Sequence, residues 1–274
     1  MKMKKMIVMD LDGTLLNNEK RVSEETRKYL NKLKQEGYII AIATGRILKS
    51  ALIATEGAEF ANYIITDAGA AVYKSSNKNN EWKEIYADFI PKEIAISIIY
   101  EFDDEKYNYI DICEKDYAKR YTKGHFKSRL QYIKYYTDRD EIIKDINRIT
   151  HIAVFLDKNE LIKEERKKFI EKYPELDINI MQDSFDNMQW LELCIKGIKK
   201  YSGIYKIAQI ENIDNKDIIA FGDGLNDIEM IESCGVGVAM KNALQDIKDK
   251  ADFVTDKSNY EDGIVDFLEK YLWN

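Results

Sequence analysis

Asp10 and Asp12 stand two residues apart in Asp10-Leu11-Asp12-Gly13-Thr14-Leu15, directly after the apolar run Met6-Ile7-Val8-Met9. Two carboxylates this close repel each other unless a cation sits between them or one takes a proton. The first outcome suits a hard cation with oxygen ligands, and Mg²⁺ is the common one at phosphate sites. The second makes Asp12 a general acid for a leaving alkoxide. Asp10 can then act as a nucleophile and form an aspartyl phosphate. Gly13 permits a tight turn that brings backbone N–H groups toward a phosphate. The plain alternative is an acidic turn after a strand, which Asp-Gly alone would favour and the full segment argues against.

Gly222-Asp223-Gly224-Leu225-Asn226-Asp227 supplies further carboxylates. Its glycine spacing imitates part of a dinucleotide loop, but Asp227 stands where the last glycine would be, and Asp223 would repel a bare pyrophosphate. An acidic loop at a strand end prefers a cation. Asp223 is therefore read as a second metal ligand, and Asp227 as a partner that orients ligands or a lysine. Ala43-Thr44-Gly45-Arg46 offers a hydroxyl and backbone N–H groups at a helix start, a natural phosphate cradle. Lys196, Lys199 and Lys200 cluster together. A lysine near two carboxylates and a phosphate would neutralise charge that develops during transfer, and the residues alone leave open which of the three does so.

These residues need a frame. Met6 to Met9 reads as a short buried strand, Ser23 to Glu36 as a helix with Ser23 as N-cap and Gly37 as its stop. Tyr38 to Ala43 is apolar without alternation, as in a strand buried on both faces. Tyr63 to Thr66 and Asp217 to Phe221 read as strands too, as does Gly235 to Met240, with Asn242 expected to cap the next helix. Another short strand, Phe253 to Thr255, and a helix from near Gly263 close the pattern. Strands alternating with helices indicate a doubly wound, parallel-sheet α/β domain. Asp10, Thr44 and Asp223 each follow a predicted strand, and open α/β sheets bind ligands at the carboxyl ends of their strands.

The rhythm changes after about Lys74. Residues 74–81 are polar and read as a turn or linker, Pro91 suits the first turn of a helix, and Tyr107 to Cys113 and His151 to Phe155 look like strands. Met188 to Ile195 looks like the strand leading back. One α/β domain interrupted by an insert explains this order, with a core over 1–83 and 189–274 and the insert over 84–188. A length of 274 residues suits two domains.

The net charge of −7 argues against an extended nucleic-acid surface. Hydrophobic residues make up 45% of the chain, enough for packed cores. Cys113, Cys194 and Cys234 are odd in number and widely spaced, which suggests neither a disulfide framework nor a zinc site. The apolar stretch before Asp10 is far too short for a signal core, and no stretch is long enough to span a bilayer. A cytoplasmic protein with no membrane partner is expected.

Together these segments resemble the haloacid dehalogenase superfamily of phosphotransferases, and most of all its Cof-type branch of sugar-phosphate and cofactor-phosphate phosphatases. Residues 10–15 look like its first motif, 43–46 like its second, Gly197-Ile198-Lys199-Lys200 like its lysine motif, and 221–230 like its fourth. The tail from Gly235 to Met240, through Asn242-Ala243, to Glu261-Asp262-Gly263 also looks like that branch. The resemblance implies a Rossmann-like core and a large α/β cap that selects the substrate, a small phosphorylated metabolite. It implies Asp10 as nucleophile and Mg²⁺ ligand, and Asp12 as acid and base that lends its backbone carbonyl to the metal. Asp223 would complete the protein ligands, while Thr44, Gly45, Asn226 and a lysine hold the phosphate. The family's spacing favours Lys200 over Lys199. Phosphate transfer to another hydroxyl uses the same nucleophile, and a non-catalytic metabolite sensor would leave the clustered carboxylates unused. The chain departs from the family at Asp67-Ala68-Gly69, where Asn-Gly is common. His125 and His151, both in the insert, read as structural.

Overall fold

The computed structural model describes residues 5–76, 81–102, 105–124, 130–182 and 188–273. The chain opens with β1 (Met6–Asp10), α1 (Glu24–Gln35), β2 (Ile39–Ala43), α2 (Leu48–Ala54), β3 (Tyr63–Thr66), β4 (Ala71–Ser75) and β5 (Trp82–Ala87). There follow α3 (Lys92–Tyr100), β6 (Tyr107–Cys113), β7 (Ala118–Tyr121), β8 (Ile133–Tyr136), α4 (Arg139–Asp145), β9 (His151–Leu156), α5 (Ile162–Lys172), β10 (Leu176–Gln182) and β11 (Gln189–Ile195). Last come α6 (Lys200–Glu211), β12 (Ile218–Gly222), α7 (Ile228–Ser233), β13 (Val236–Ala239), α8 (Gln245–Lys248), β14 (Phe253–Val254) and α9 (Gly263–Trp273).

The chain divides into two compact units. Met1–Arg46, Ala51–Tyr86 and Lys199–Asn274 make the first, and Ile47–Ser50 with Ala87–Ile198 the second. In the first, the strands lie in the order β14-β13-β12-β1-β2-β3-β4-β5. The pairs from β14 to β3 are parallel, and β4 runs antiparallel to β3. Every residue of β1 and β12 is buried, so side chains pointing to both faces are covered, as the unbroken apolar runs predict. Met6, Val8, Ala41, Tyr63 and Ile65 pack with Ile204 and Ile207 of α6. Helix α1 begins where expected: the Ser23 side chain accepts the Thr26 N–H at 3.0 Å. Acidic Glu24 and Glu25 open the helix and Lys32 and Lys34 close it, matching its dipole.

The second unit holds a sheet ordered β10-β11-β9-β6-β7-β8, antiparallel except between β7 and β8. Ile110, Ile112, Ile152, Val154, Leu191 and Leu193 point to one face and pack with Ile98, Ile142 and Phe169 of its helices. Its opposite face carries Asp111, whose carboxylate receives two hydrogen bonds of 2.7 Å from Arg120. No described helix is long and apolar enough to cross a membrane.

Two expectations are corrected. The strand expected to lead back at 189 is β11, which pairs with β9 and β10; the chain rejoins the first unit only at Lys199. Asn242 does not cap a helix, because α8 starts at Gln245 with Leu244 before it. The polar segment 74–81, read as a turn or linker, begins on the last two residues of β4 and precedes β5, and its residues 77–80 lie outside the described residues. His151 is a buried first residue of β9, and His125 lies outside the described residues.

Candidate active site

Strand register brings the predicted residues to one end of the first sheet. Asp10, last residue of β1, pairs with Ala43, so Thr44 follows at the same level. Met9 pairs with Phe221, so Gly222 and Asp223 follow on the other side. Lys200 is the first residue of α6.

The turn after β1 closes on itself. Leu15 N–H donates to the Asp10 carbonyl at 3.2 Å and Leu16 N–H to the Leu11 carbonyl at 2.9 Å. Gly13 has a φ of +87°, and a Cβ there would meet the Asp223 carboxylate oxygen at 2.3 Å. Only glycine satisfies both the backbone and the close approach. Thr14 Oγ1 donates to Asp223 Oδ1 at 2.7 Å, tying the turn to the acidic loop.

Lys200 is only 2% exposed, and its ammonium donates to Asp10 Oδ1 at 2.5 Å and to Asp227 Oδ1 at 2.7 Å. Lys199 instead points outward and pairs with Glu229 at 2.9 Å, while Lys196 donates to the Pro174 carbonyl. Of the three lysines, Lys200 is thus the one at the carboxylates. Asp227 Oδ2 accepts the N–H groups of Asp223 and Gly224, both at 3.0 Å. Both oxygens of Asp227 are therefore committed to holding Lys200 and the loop. Asn226 is exposed in the same loop.

Thr44 is buried, its N–H donating to the Ile65 carbonyl and its hydroxyl accepting the Arg46 N–H at 3.1 Å. Gly45 is next to it in the loop before α2. Asp67-Ala68-Gly69, with φ values of +53°, +54° and +111°, braces that loop: Asp67 N–H donates to the Arg46 carbonyl and Ala68 N–H to the Thr44 carbonyl, both at 3.1 Å. A Cβ on Gly69 would meet the Lys199 carbonyl at 2.0 Å, so the same loop packs on the start of α6. The departure at Asp67 keeps a left-handed backbone that Asp tolerates better than most residues.

Arg46 follows Thr44 and Gly45 in the segment 43–46, and sequence gives it no role. Its guanidinium grips Asp12 through Nε to Oδ2 at 2.7 Å and Nη2 to Oδ1 at 2.6 Å, with Lys20 a further 3.7 Å from the carboxylate. Two planar groups 34 positions apart carry no spacing signal that would have predicted this.

The charges are unbalanced. Asp10, Asp223 and Asp227 each present an oxygen within 4.8 Å of the others. Burial, then the neighbouring Asp227, push the Asp10 carboxyl well above its ordinary range, although Lys200 opposes this. Burial pushes Asp223 up to about 6, with Asp227 and Asp12 adding to it against the Thr14 bond and Lys200. Burial alone would lower the Lys200 pKa, but the Asp10 and Asp227 carboxylates outweigh it and hold the ammonium above its usual value. At Asp12, burial is outweighed by Arg46 and Lys20, and the carboxyl falls below its ordinary range. One ammonium cannot neutralise three clustered carboxylates. An all-oxygen set with surplus negative charge fits a hard divalent cation such as Mg²⁺.

This imbalance predicts a stability effect. A carboxyl raised from 3.8 to about 6 binds its proton more tightly in the folded state. Its contribution is full below the unfolded pKa and lost as pH rises through the folded one. In EDTA, Asp223→Asn should therefore gain melting temperature over wild type at pH 7 and show no gain near pH 4. Thermal unfolding at both pH values checks this; an equal difference at both would contradict it.

The fold and this constellation define a class, the doubly wound α/β proteins that carry an acidic turn at the end of the first core strand. The chain belongs to the haloacid dehalogenase-like hydrolases: the profile of that family matches residues 7–268. It is 28% identical over 277 residues to 5-amino-6-(5-phospho-D-ribitylamino)uracil phosphatase YitU of Bacillus subtilis, covering 97% of each chain. It is also 28% identical over 271 residues to YcsE of the same organism, which bears the same enzyme name, covering 98% of this chain and 96% of that one. Among solved structures, a haloacid dehalogenase-like hydrolase from B. subtilis superposes with a TM-score of 0.79 at 25% identity, covering 98% of this chain and 99% of that one.

Proposed function

We propose that the protein is a Mg²⁺-dependent phosphatase that releases phosphate from small phosphorylated metabolites through an aspartyl phosphate on Asp10. The observation that carries this reading is the buried Asp10–Lys200–Asp227 arrangement beside Asp223, which fixes one carboxylate oxygen on a lysine at the mouth of the sheet. Asp10, Asp223 and the Asp12 backbone carbonyl would hold the metal. Bound Mg²⁺ would neutralise charge on these carboxylates and on the phosphoryl oxygens.

Asp10 attacks phosphorus as the ester P–O bond breaks, and the leaving oxygen takes a proton from Asp12. Asp12, now a carboxylate, then takes a proton from water, whose oxygen attacks phosphorus and frees Asp10 and inorganic phosphate. Lys200 balances charge throughout, and Thr44, Gly45 and Asn226 hold phosphoryl oxygens. The Arg46 pair keeps Asp12 ionised, the form the second half needs. In the first half the pair must open and Asp12 must gain a proton. Phosphate monoesters, with a second pKa of about 6, can bring one.

The inserted unit selects the ester. Relatives named for a ribitylaminouracil phosphate make phosphorylated polyols and cofactor precursors the first compounds to screen. The test is phosphate release from p-nitrophenyl phosphate and from such a panel, with Mg²⁺ and with EDTA. Release from no ester, or equal release in EDTA, would overturn the proposal. Phosphate found on an added sugar phosphate instead of in water would mark transfer.

Gly13→Ala should lower kcat by about 100-fold, because its Cβ displaces the Asp223 carboxylate and geometry errors near 1 Å cost that much. A kcat within twofold of wild type would show that this close approach does not matter.

A further inference from the structure

The acidic turn is held from a distant part of the chain. Asn242 Nδ2 donates to the Gly13 carbonyl at 2.7 Å. Asn242 Oδ1 accepts the Asn259 N–H at 3.0 Å, and Asn259 Nδ2 donates to the Leu16 carbonyl at 2.7 Å. Two amides thus take the outward carbonyls of the turn whose inner hydrogen bonds run from Leu15 and Leu16 back to Asp10 and Leu11.

The segment that carries Asn242 also grips the acidic loop. Met240 N–H donates to the Gly222 carbonyl at 3.0 Å and Leu244 N–H to the Asp223 carbonyl at 3.2 Å. Residues 240–244 therefore hold Asp223 through backbone and the Asp10 turn through one side chain. Asn242 itself is exposed and belongs to no helix; its Oδ1 takes the first N–H of the single helical turn Asn259–Glu261, which leaves its N–H donor, given to the Gly13 carbonyl, without a capping explanation.

We infer that Asn242, seconded by Asn259, is a positioning residue that sets the distance between the turn carrying Asp10 and Asp12 and the loop carrying Asp223. The amide touches no reacting atom. It acts on the backbone of Gly13, which a left-handed φ and the Asp223 carboxylate already hold in a narrow range. Losing it lets the turn move away from Asp223 without exposing core surface. An aspartate at 242 keeps the shape but offers no donor to the carbonyl, so Asn242→Asp should fail as Asn242→Ala does. The consequence for metal and turnover rests on the phosphatase reading above; the clasp itself does not.

The experiment compares the full chain with Asn242→Ala, Asn242→Asp and Asn259→Ala. Hydrogen exchange of the peptide spanning residues 11–16 reads the clasp, calorimetric titration with MgCl₂ reads the spacing, and kcat on p-nitrophenyl phosphate and on an alkyl phosphate reads the chemistry. Exchange in that peptide should quicken in all three variants while the core strands stay protected. Mg²⁺ affinity and kcat should each fall about 10- to 100-fold in both Asn242 variants, the range for partners of metal ligands. The kcat loss should be larger for the alkyl ester, whose poorer leaving group depends more on Asp12. Unchanged exchange would overturn the clasp. Faster exchange with wild-type Mg²⁺ affinity and kcat would overturn the positioning role and leave a structural bond. A wild-type chain that neither binds Mg²⁺ nor cleaves any ester would sink the phosphatase reading alone, and the exchange data would still decide the clasp.

Discussion

Asp10→Asn is expected to abolish turnover, lowering kcat by roughly 10⁴-fold or more, as removal of an enzyme nucleophile does. The amide keeps the size and shape of the carboxylate, and Lys200 keeps Asp227 as a partner at 2.7 Å. What disappears is the oxygen proposed to attack phosphorus. The fold should not suffer. Asp10 is buried, and its carboxyl is pushed well above its ordinary range by that burial first and by Asp227 and Asp223 as well. Removing such a charge relieves the metal-free protein, so the variant should melt in EDTA at pH 7 no lower than wild type. Steady-state phosphate release and thermal unfolding on the same preparation separate lost chemistry from lost structure. Turnover equal to wild type would remove Asp10 from the nucleophile's role.

Lys200→Met should have the largest effect on stability. The side chains of Lys200, Asp10 and Asp227 are 2%, 8% and 1% exposed, so the ammonium neutralises charges that water cannot reach. Methionine fills a similar volume but leaves two buried carboxylates without their cation. Breaking a buried pair in this way costs about 3–5 kcal/mol. Urea unfolding in EDTA at pH 7.5 should show a loss of this order. The loss should shrink as pH is lowered to 5.5, because the Asp10 carboxyl, whose folded pKa burial raises, regains its proton as pH falls. Combining Lys200→Met with Asp10→Asn should restore part of it. Turnover should fall as well, by 100-fold or more on the scale of lost electrostatic stabilisation. A single variant as stable as wild type at pH 7.5 would mean that this triad is already neutral.

The parts of the fold that were readable in the sequence share one physical property. Met6–Met9, Tyr38–Ala43 and Ile218–Phe221 are apolar without alternation because both faces of a parallel sheet are covered. Each run ends at a polar residue or one glycine short of it, and register alone then gathers Asp10, Thr44 and Asp223. The β4 and β5 pair carried no such signal: Lys74, Lys83 and Glu84 lie in strands at the far side of the sheet with partly open faces. Strand β11 is legible as a strand, but its sheet is not. Glu192 between Leu191 and Leu193 breaks the unbroken apolar run that marks the core strands, and β11 pairs antiparallel with β9 and β10 in the insert.

The site divides in the same way. Asp10, Asp12, Asp223 and Asp227 were legible because their types and spacing imply chemistry wherever the strands end. Lys199 and Lys200 were not separable by composition. They are adjacent at the start of α6, where successive side chains point about 100° apart, so only one of them can face the carboxylates. Arg46 and Asn242 act through partners 34 and 229 positions away. Long-range pairs of this kind leave no trace in local pattern. They turn a set of plausible carboxylates into a geometry, and Arg46 adds a requirement to the proposed mechanism that sequence did not suggest, the opening of its bond to Asp12.

The central claim is the covalent step on Asp10, and acid quenching during turnover tests it most directly. Enzyme in excess over a ³²P-labelled phosphate ester, with Mg²⁺, is quenched within milliseconds, digested with pepsin and separated at low pH. Label should appear on the peptide that contains Asp10, should be released by hydroxylamine as an acyl phosphate, and should be missing in Asp10→Asn. Phosphate released at the full single-turnover rate, with no label on that peptide at any quench time, would contradict the account.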